Sequence, residues 1–283
     1  MRLGYLTHVA GADPARAYRD TVALAVAAEE SGFSTFWVAQ HHDGHLDGLL
    51  PSPLVLLAAV AQATSTIRLG TAVVTAACED PRRLAEDAAV LDALSGGRLE
   101  LGVGAGADEA ASEAFGRDHA RRHADCAAAV DALRGHLARI VPAAPGLDGR
   151  LWQATGTPGG IADAGARGLG LITGRADAAP HLARYWARAA GEPRVAAVRA
   201  VAPGERPEAL RERWRADPVR EWATELVVQT QPAHAPLATH LATVRALTAG
   251  RADPDRPAPV APLLRALQGG SASRPGRLRL IGS

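Results

Sequence analysis

The sequence predicts an α/β protein built from eight successive strand–helix units, the number that a closed (β/α)8 barrel requires. Three observations carry this reading. Short apolar, β-branched runs recur about one βα unit apart along the 283 residues. The segments between them are patterned as helices and open at proline or a small polar residue. Turn residues close them, with Gly32 after the first helix and Ser95-Gly96-Gly97 after the third. An open doubly wound sheet predicts the same alternation, so the count alone leaves closure undecided.

Taken in order, the first four strands are RLGYLTHV from Arg2, STFWVAQ from Ser34, IRLGTAVV from Ile67 and RLELGVG from Arg98. Helices are expected at Pro14–Ser31, Ser52–Ala63 and Pro81–Leu94; Asp80 is placed to cap the third and Pro81 to occupy its first position. A long helical region from about Asp108 to Ile140 leads into the loop VPAAPGLDG. Four more strands are read at Leu151–Thr155, Leu169–Thr173, Arg194–Val201 and Glu225–Gln231. Their helices are read at Gly160–Arg167, Asp177–Ala190, Pro207–Ala223 and Pro236–Thr248. The expected domain is therefore 1–248. A loosely held Pro/Arg-rich tail follows over 249–283, with a short helical piece near Val260–Leu267.

Composition narrows the partners. Net charge is +1 and the pI about 8.0, so no global field points to nucleic acid or to a membrane surface. All 31 basic side chains are arginine, which with the abundant alanine reads as a coding bias. Cys78 and Cys126 show no CxxC or ligand-like spacing, as expected in a reducing compartment. The opening MRLGYLTHV lacks the basic and apolar regions of a signal peptide, and charges interrupt every apolar run. A soluble cytoplasmic protein is expected.

The stretch FWVAQHHDGHLDGLLPSP, residues 36–53, gathers His41, His42 and His45. Zinc motifs usually set ligands at i and i+4 on a helix, with a further ligand elsewhere. Here the histidines follow a strand, among the loop signals Asp43-Gly44 and Asp47-Gly48, so no metal site is expected. A residue ending a barrel strand faces the active-site mouth, where an imidazole can move a proton. At least one of the three is expected to be an ordinary solvated loop residue.

The segments WVAQHH, PSPLVLLAAVAQATSTIRLGTAVV and DPRRLAEDAAVLDALSGGRLELGVGAG, in this order, resemble the bacterial luciferase-like flavin-dependent monooxygenase family. The likeness is dense from Met1 to about Gly106. It continues through LWQATGTPGGIADAGARGLGLITG and ELVVQTQPAHAPLATHLATVRAL. The resemblance implies a (β/α)8 barrel, and so decides for closure. It also implies reduced FMN, or in one branch the deazaflavin F420, bound at the C-terminal ends of the strands. The doubled histidine resembles the FMN branch.

By the same resemblance His41 is the catalytic histidine, and Gln40 stands where the family usually has glutamate. A non-prolyl cis peptide and a bulge are implied at Ala72–Val73, against which the flavin packs. Gly104 ends the fourth strand, and Ala105 replaces an arginine that often meets the phosphate. Arg122, ahead of Arg117 and Arg121, together with Thr157 and Gly160, is implied to contact the phosphate. The loop TAACEDP departs from the family's usual proline and histidine, and Cys78 in it is expected to be a buried thiol. LELGVGAG also resembles the nucleotide loop of S-adenosylmethionine methyltransferases, but that reading leaves the flanking LSGGR unexplained. The implied reaction is oxygenation of a small organic substrate by O2, with reduced flavin from a separate reductase. A role in secondary metabolism is a further expectation, as is a homodimer joined through Leu54–Ala63 and Leu84–Leu94. The alternatives are an F420-dependent oxidoreductase on the same barrel and a non-catalytic flavin-binding homologue.

Overall fold

In the computed structural model, which describes residues 2–202 and 204–249, the alternation closes on itself. The strands are β1 (Arg2–Thr7), β2 (Thr35–Val38), β3 (Arg68–Thr71), β4 (Val74–Thr75), β5 (Leu99–Gly104), β6 (Leu151–Ala154), β7 (Gly170–Thr173), β8 (Val195–Val201) and β9 (Glu225–Thr230). They hydrogen-bond in the order β3-β2-β1-β9-β8-β7-β6-β5-β4, all parallel, and β3 also pairs with β5. β3 and β4 are two halves of one stave, so the result is a closed eight-stranded barrel. The break between them is a bulge. Gly70 faces Glu100 and Val74 faces Val103, so the β3–β4 side carries one residue more than β5.

Period-two alternation sends every second side chain into the barrel. Leu6, Trp37, Ala39, Trp152, Ile172, Ala196 and Val227 form this inner cluster. Trp37 and Trp152 meet edge to face at 5.5 Å and take most of the space. Glycine is their necessary counterpart: a Cβ at Gly70 would run into the Trp37 ring, and one at Gly170 into Trp152. Below them lies a charged layer. Glu100 pairs with Arg68, lies 3.8 Å from Arg194, and accepts a 2.6 Å hydrogen bond from Trp152 Nε1. Arg2 approaches Glu225 at 4.0 Å.

The larger apolar core lies between the strands and the surrounding helices. These are α1 (Pro14–Glu30), α2 (Pro53–Ala63), α3 (Pro81–Leu94), α4 (Glu109–Ala114), α5 (Arg122–Leu137), α6 (Pro158–Ala166), α7 (Ala179–Arg188), α8 (Pro207–Ala216) and α9 (Leu237–Thr248). Local chemistry sets their starts. Asp13 accepts from the amides of Ala15 and Arg16, Asp80 accepts from Arg83 at 2.8 Å, and both precede prolines at the first helical position.

Three helical expectations are corrected. The region Asp108–Ile140 is not one helix: Gly116 takes φ 65°, Asp118 caps a separate 3-10 turn over His119–Arg121, and α5 starts only at Arg122. The helix expected over Pro207–Ala223 stops at Ala216, because Asp217 precedes Pro218, which disfavours helical backbone there, and its carboxylate is held by Arg199. The helix expected over Asp177–Ala190 is a 3-10 turn at Ala176–Ala178 followed by α7. The tail expected over 249–283, with its helical piece, lies outside the described residues beyond Ala249. Among the described residues no helix is long and apolar enough to cross a membrane.

Candidate active site

The C-terminal strand ends, where barrel proteins build their sites, bring together side chains far apart in sequence. After β2 the chain curls back over the barrel mouth. Asp43, Gly44, Leu46 and Asp47 all adopt left-handed backbone, with φ between 50° and 76°. The returning strand of this loop is stitched down: His41 N donates to Leu50 O at 2.9 Å, Leu49 N donates to Val9 O at 3.0 Å, and the Tyr18 hydroxyl donates to Leu49 O at 2.5 Å. Gly48 passes so close to His41 that a Cβ would overlap the imidazole.

The three histidines diverge. His41 is buried and faces His8, with Nε2 2.7 Å from His8 Nδ1 and the rings stacked at 4.9 Å. His42 packs edge-on against Phe115 at 4.8 Å. His45 is half-exposed and approaches Asp108 at 3.5 Å. Burial pushes the His41 imidazole down to about 4, helped by His8, His45 and His42 and opposed by Asp108. His41 is therefore neutral at pH 7, able to accept a proton.

Gln40 uses both ends of its amide. Its Nε2 donates to Glu79 Oε1 at 2.9 Å and to Pro51 O at 3.0 Å, while its Oε1 accepts from Thr75 N at 2.7 Å. A glutamate at 40 would lose both donations and set two carboxylates face to face. The amide thus links the Glu79 carboxylate to β4.

The peptide joining Ala72 to Val73 is cis and sits in the bulge between β3 and β4. Gly104, at the end of β5, has no room for a side chain, because a Cβ would press on Val73. Thr157 caps α6, its hydroxyl accepting from Gly160 N at 3.2 Å; a Cβ on Gly160 would strike the Thr155 hydroxyl. Arg122 turns back to its own chain and donates to His119 O at 3.0 Å. Arg117 and Arg121, ranked behind it on sequence, instead line a groove of about 510 Å³ with Glu79, Asp118 and Asp125. Cys78 is buried, as is Cys126.

Two residues were missed by sequence reasoning. His8 follows β1 and reads in the sequence as one more strand residue, with nothing local to signal its partner. Arg175 follows β7 and lies across Gly156, beside Thr157, while pairing with Asp177 at 2.8 Å. An arginine after a strand, in a chain whose basic residues are all arginine, gives no signal of its own.

The parallel (β/α)8 barrel thus carries a buried neutral histidine just after β2 and a cis peptide in the bulge of the neighbouring stave. The chain belongs to the luciferase-like monooxygenase family, whose pattern matches residues 1–253. Over 90 residues it is 34% identical to the oxygenase component of a flavin-dependent trigonelline monooxygenase from Acinetobacter baylyi, covering 32% of this chain and 25% of that one. Over 86 residues it is 42% identical to an F420-dependent glucose-6-phosphate dehydrogenase from Kineococcus radiotolerans, covering 29% and 26%. The matched segments span about a quarter to a third of the curated relatives' own length. The crystal structure of monooxygenase RslO1 from Streptomyces bottropensis shares the fold, with a TM-score of 0.72, 19% identity, and coverage of 88% of this chain and 98% of that one.

Proposed function

We propose that this chain is the oxygenase of a two-component flavin system, using reduced FMN and O2 to oxygenate a small organic substrate. The observation that carries the reading is His41, buried and neutral just after β2, whose Val38 O accepts from Ala72 N in the bulge between β3 and β4. The mouth fits a flat ring system. Ala39, Ala72, Val73, Ala154 and Val198 border it with side chains no larger than valine, and Gly104 adds none. At the phosphate end Thr157, the amides opening α6 and Arg175 are the groups that would hold an anion in place of the arginine absent at Ala105. Reduced flavin, when bound, supplies the electrons that activate O2. His41 takes up the proton released at the reacting centre. Gln40 and Glu79 brace the loop that carries it, and the returning segment from His45 to Leu50 keeps water from that ring.

The reductase, the homodimer through α2 and α3, and a place in secondary metabolism belong to the same proposal. So do a cytoplasmic setting and the reading of 1–248 as the catalytic unit with 249–283 as a tail. The F420-dependent relative motivates one second reading, a hydride-transfer enzyme on this barrel. Anaerobic titration of the purified chain with reduced FMN and, in parallel, with reduced F420 separates the two. Saturable binding of reduced FMN, followed on mixing with O2 by flavin reoxidation slower than that of free reduced FMN, is the expected result. Binding of F420 alone would replace FMN in the proposal, and binding of neither would overturn both readings.

A further inference from the structure

We propose that His8 is the proton partner of His41: the two imidazoles act as one unit that takes up a single proton, with Gln229 fixing the orientation of the pair. The inference rests on the reading of the barrel mouth as an oxygenase site, and it assigns that site its second acid–base residue.

The backbone is bent to make the contact. β1 ends at Thr7, and two residues later Val9 adopts φ 52°, a left-handed conformation that a β-branched side chain rarely takes. Val9 is 2% exposed and held at both ends, its N–H donating to Thr7 Oγ1 at 3.1 Å and its carbonyl accepting from Leu49 N at 3.0 Å. Between these anchors His8 points at His41 instead of continuing the strand.

A 2.7 Å separation between Nδ1 of His8 and Nε2 of His41 admits one proton between the two nitrogens. If both rings were cationic, two N–H groups would face each other there. Among the described residues no carboxylate hydrogen-bonds either ring, and the nearest acid on this side, Asp108, approaches His45. The titratable groups acting on His41 are His8 from β1, His42 and His45 from its own loop, and Asp108 from the segment after β5. His8 is lowered by burial, and Gln229 on β9 hydrogen-bonds it in the sense that favours its protonated form.

In the proposed pair Nε2–H of His41 donates to Nδ1 of His8, which leaves Nε2–H of His8 to face Gln229. The remaining nitrogen of His41, Nδ1, is then the base. A proton arriving there makes an imidazolium whose charge is shared through the Nε2–H···Nδ1 bond, and no other bond is made or broken.

The test is a pH titration of the full chain with 15N-labelled histidine, without flavin, comparing wild type with His8→Gln and Gln229→Glu. In the wild type both rings are expected as Nε2–H tautomers, with His41 neutral well below pH 6. His8→Gln should lower the His41 midpoint by about one pH unit, since the ring nitrogen that accepts from Nε2–H and shares the imidazolium charge is lost. Gln229→Glu should raise the proton affinity of the pair by a similar amount, since a carboxylate then faces His8. In flavin-supported O2 uptake the acid limb should move with the NMR midpoint. Unchanged His41 titration in both variants would overturn the pair, even with turnover intact. Absence of any flavin turnover would remove the oxygenase reading and leave the pair to be decided by the NMR alone.

Discussion

At position 40 an amide does work that a carboxylate in the same place would undo. Glu79 Oε1 lies 2.9 Å from Gln40 Nε2, so Gln40→Glu would bring two carboxylates to hydrogen-bond distance and strip Pro51 O of its donor. One of the two acids would have to stay protonated. The expected cost is about 1–3 kcal/mol in chemical denaturation at pH 7. The exchange Gln40→Glu with Glu79→Gln should recover most of it; a double variant no more stable than Gln40→Glu would show that the pairing does not matter. His41 offers a second residue-scale test. Gly48 has φ −77°, which any residue adopts, so Gly48→Ala probes only the missing space against the imidazole. A ring displaced by the added methyl should lower oxygenase turnover about 100-fold with the fold retained. Turnover at the wild-type level would mean that the position of His41 is not critical. The sequence signalled His41 because it sits in a dense familial run. His8 carried no such signal, since its role depends on a contact 33 residues away and on the strained turn at Val9.

Among the elements, the LSGGR run between α3 and β5 is explained by what Arg98 touches. Its guanidinium donates to Ala61 O at 2.8 Å, Thr64 O at 3.1 Å and Ile67 O at 2.9 Å, and also to the Thr64 hydroxyl at 2.9 Å. These are the carbonyls left open where α2 ends and the chain turns into β3, and a cation suits that end of a helix. Gly96 and Gly97, at φ 67° and 81°, make the turn that delivers the arginine. Arg98→Ala should lower stability by about 3 kcal/mol, and Arg98→Lys should recover only part, because a single ammonium cannot serve the fork of acceptors. Equal stability of the lysine variant and the wild type would argue for charge alone. Helix starts were legible from sequence because Asp13-Pro14 and Asp80-Pro81 act on their own neighbours. The end of α8 and the break after α4 were harder to read, since the Asp217–Arg199 pair and the Gly116 turn compete with good helical patterning over the same residues.

For the molecule as a whole, closure decides which alternating residues become neighbours, and alternation alone does not reveal it. Arg2, Arg68, Glu100, Arg194 and Glu225 each read as a polar residue at or near the start of a strand. Only the closed register assembles them into one charged layer under Trp37 and Trp152, with Glu100 and Glu225 buried. The same burial makes the fold sensitive to acid. His8, His41 and His240 are all held below the ordinary histidine range, first by burial, with His41 at about 4. His240 also accepts or donates at 3.1 Å to Tyr5, which ties α9 to β1. For a group whose folded value is depressed, the folded chain binds fewer protons than the unfolded chain across the interval between the two values. The stabilisation is then complete above about 6.5 and is lost as pH falls through that interval towards 4. Glu225 acts in the opposite sense, because burial raises its carboxyl and the folded state gains a proton there, but it is one group against three. Unfolding near pH 5 should therefore take up protons on balance, with stability rising with pH; each net proton corresponds to a slope of about 1.4 kcal/mol per pH unit. Denaturant melts at half-unit steps from pH 4.5 to 7.5 measure this slope directly. A flat profile would mean that the depressed imidazoles do not outweigh Glu225. The neutral state of His41, on which both the oxygenase reading and the paired-histidine proposal depend, would then rest on its own titration.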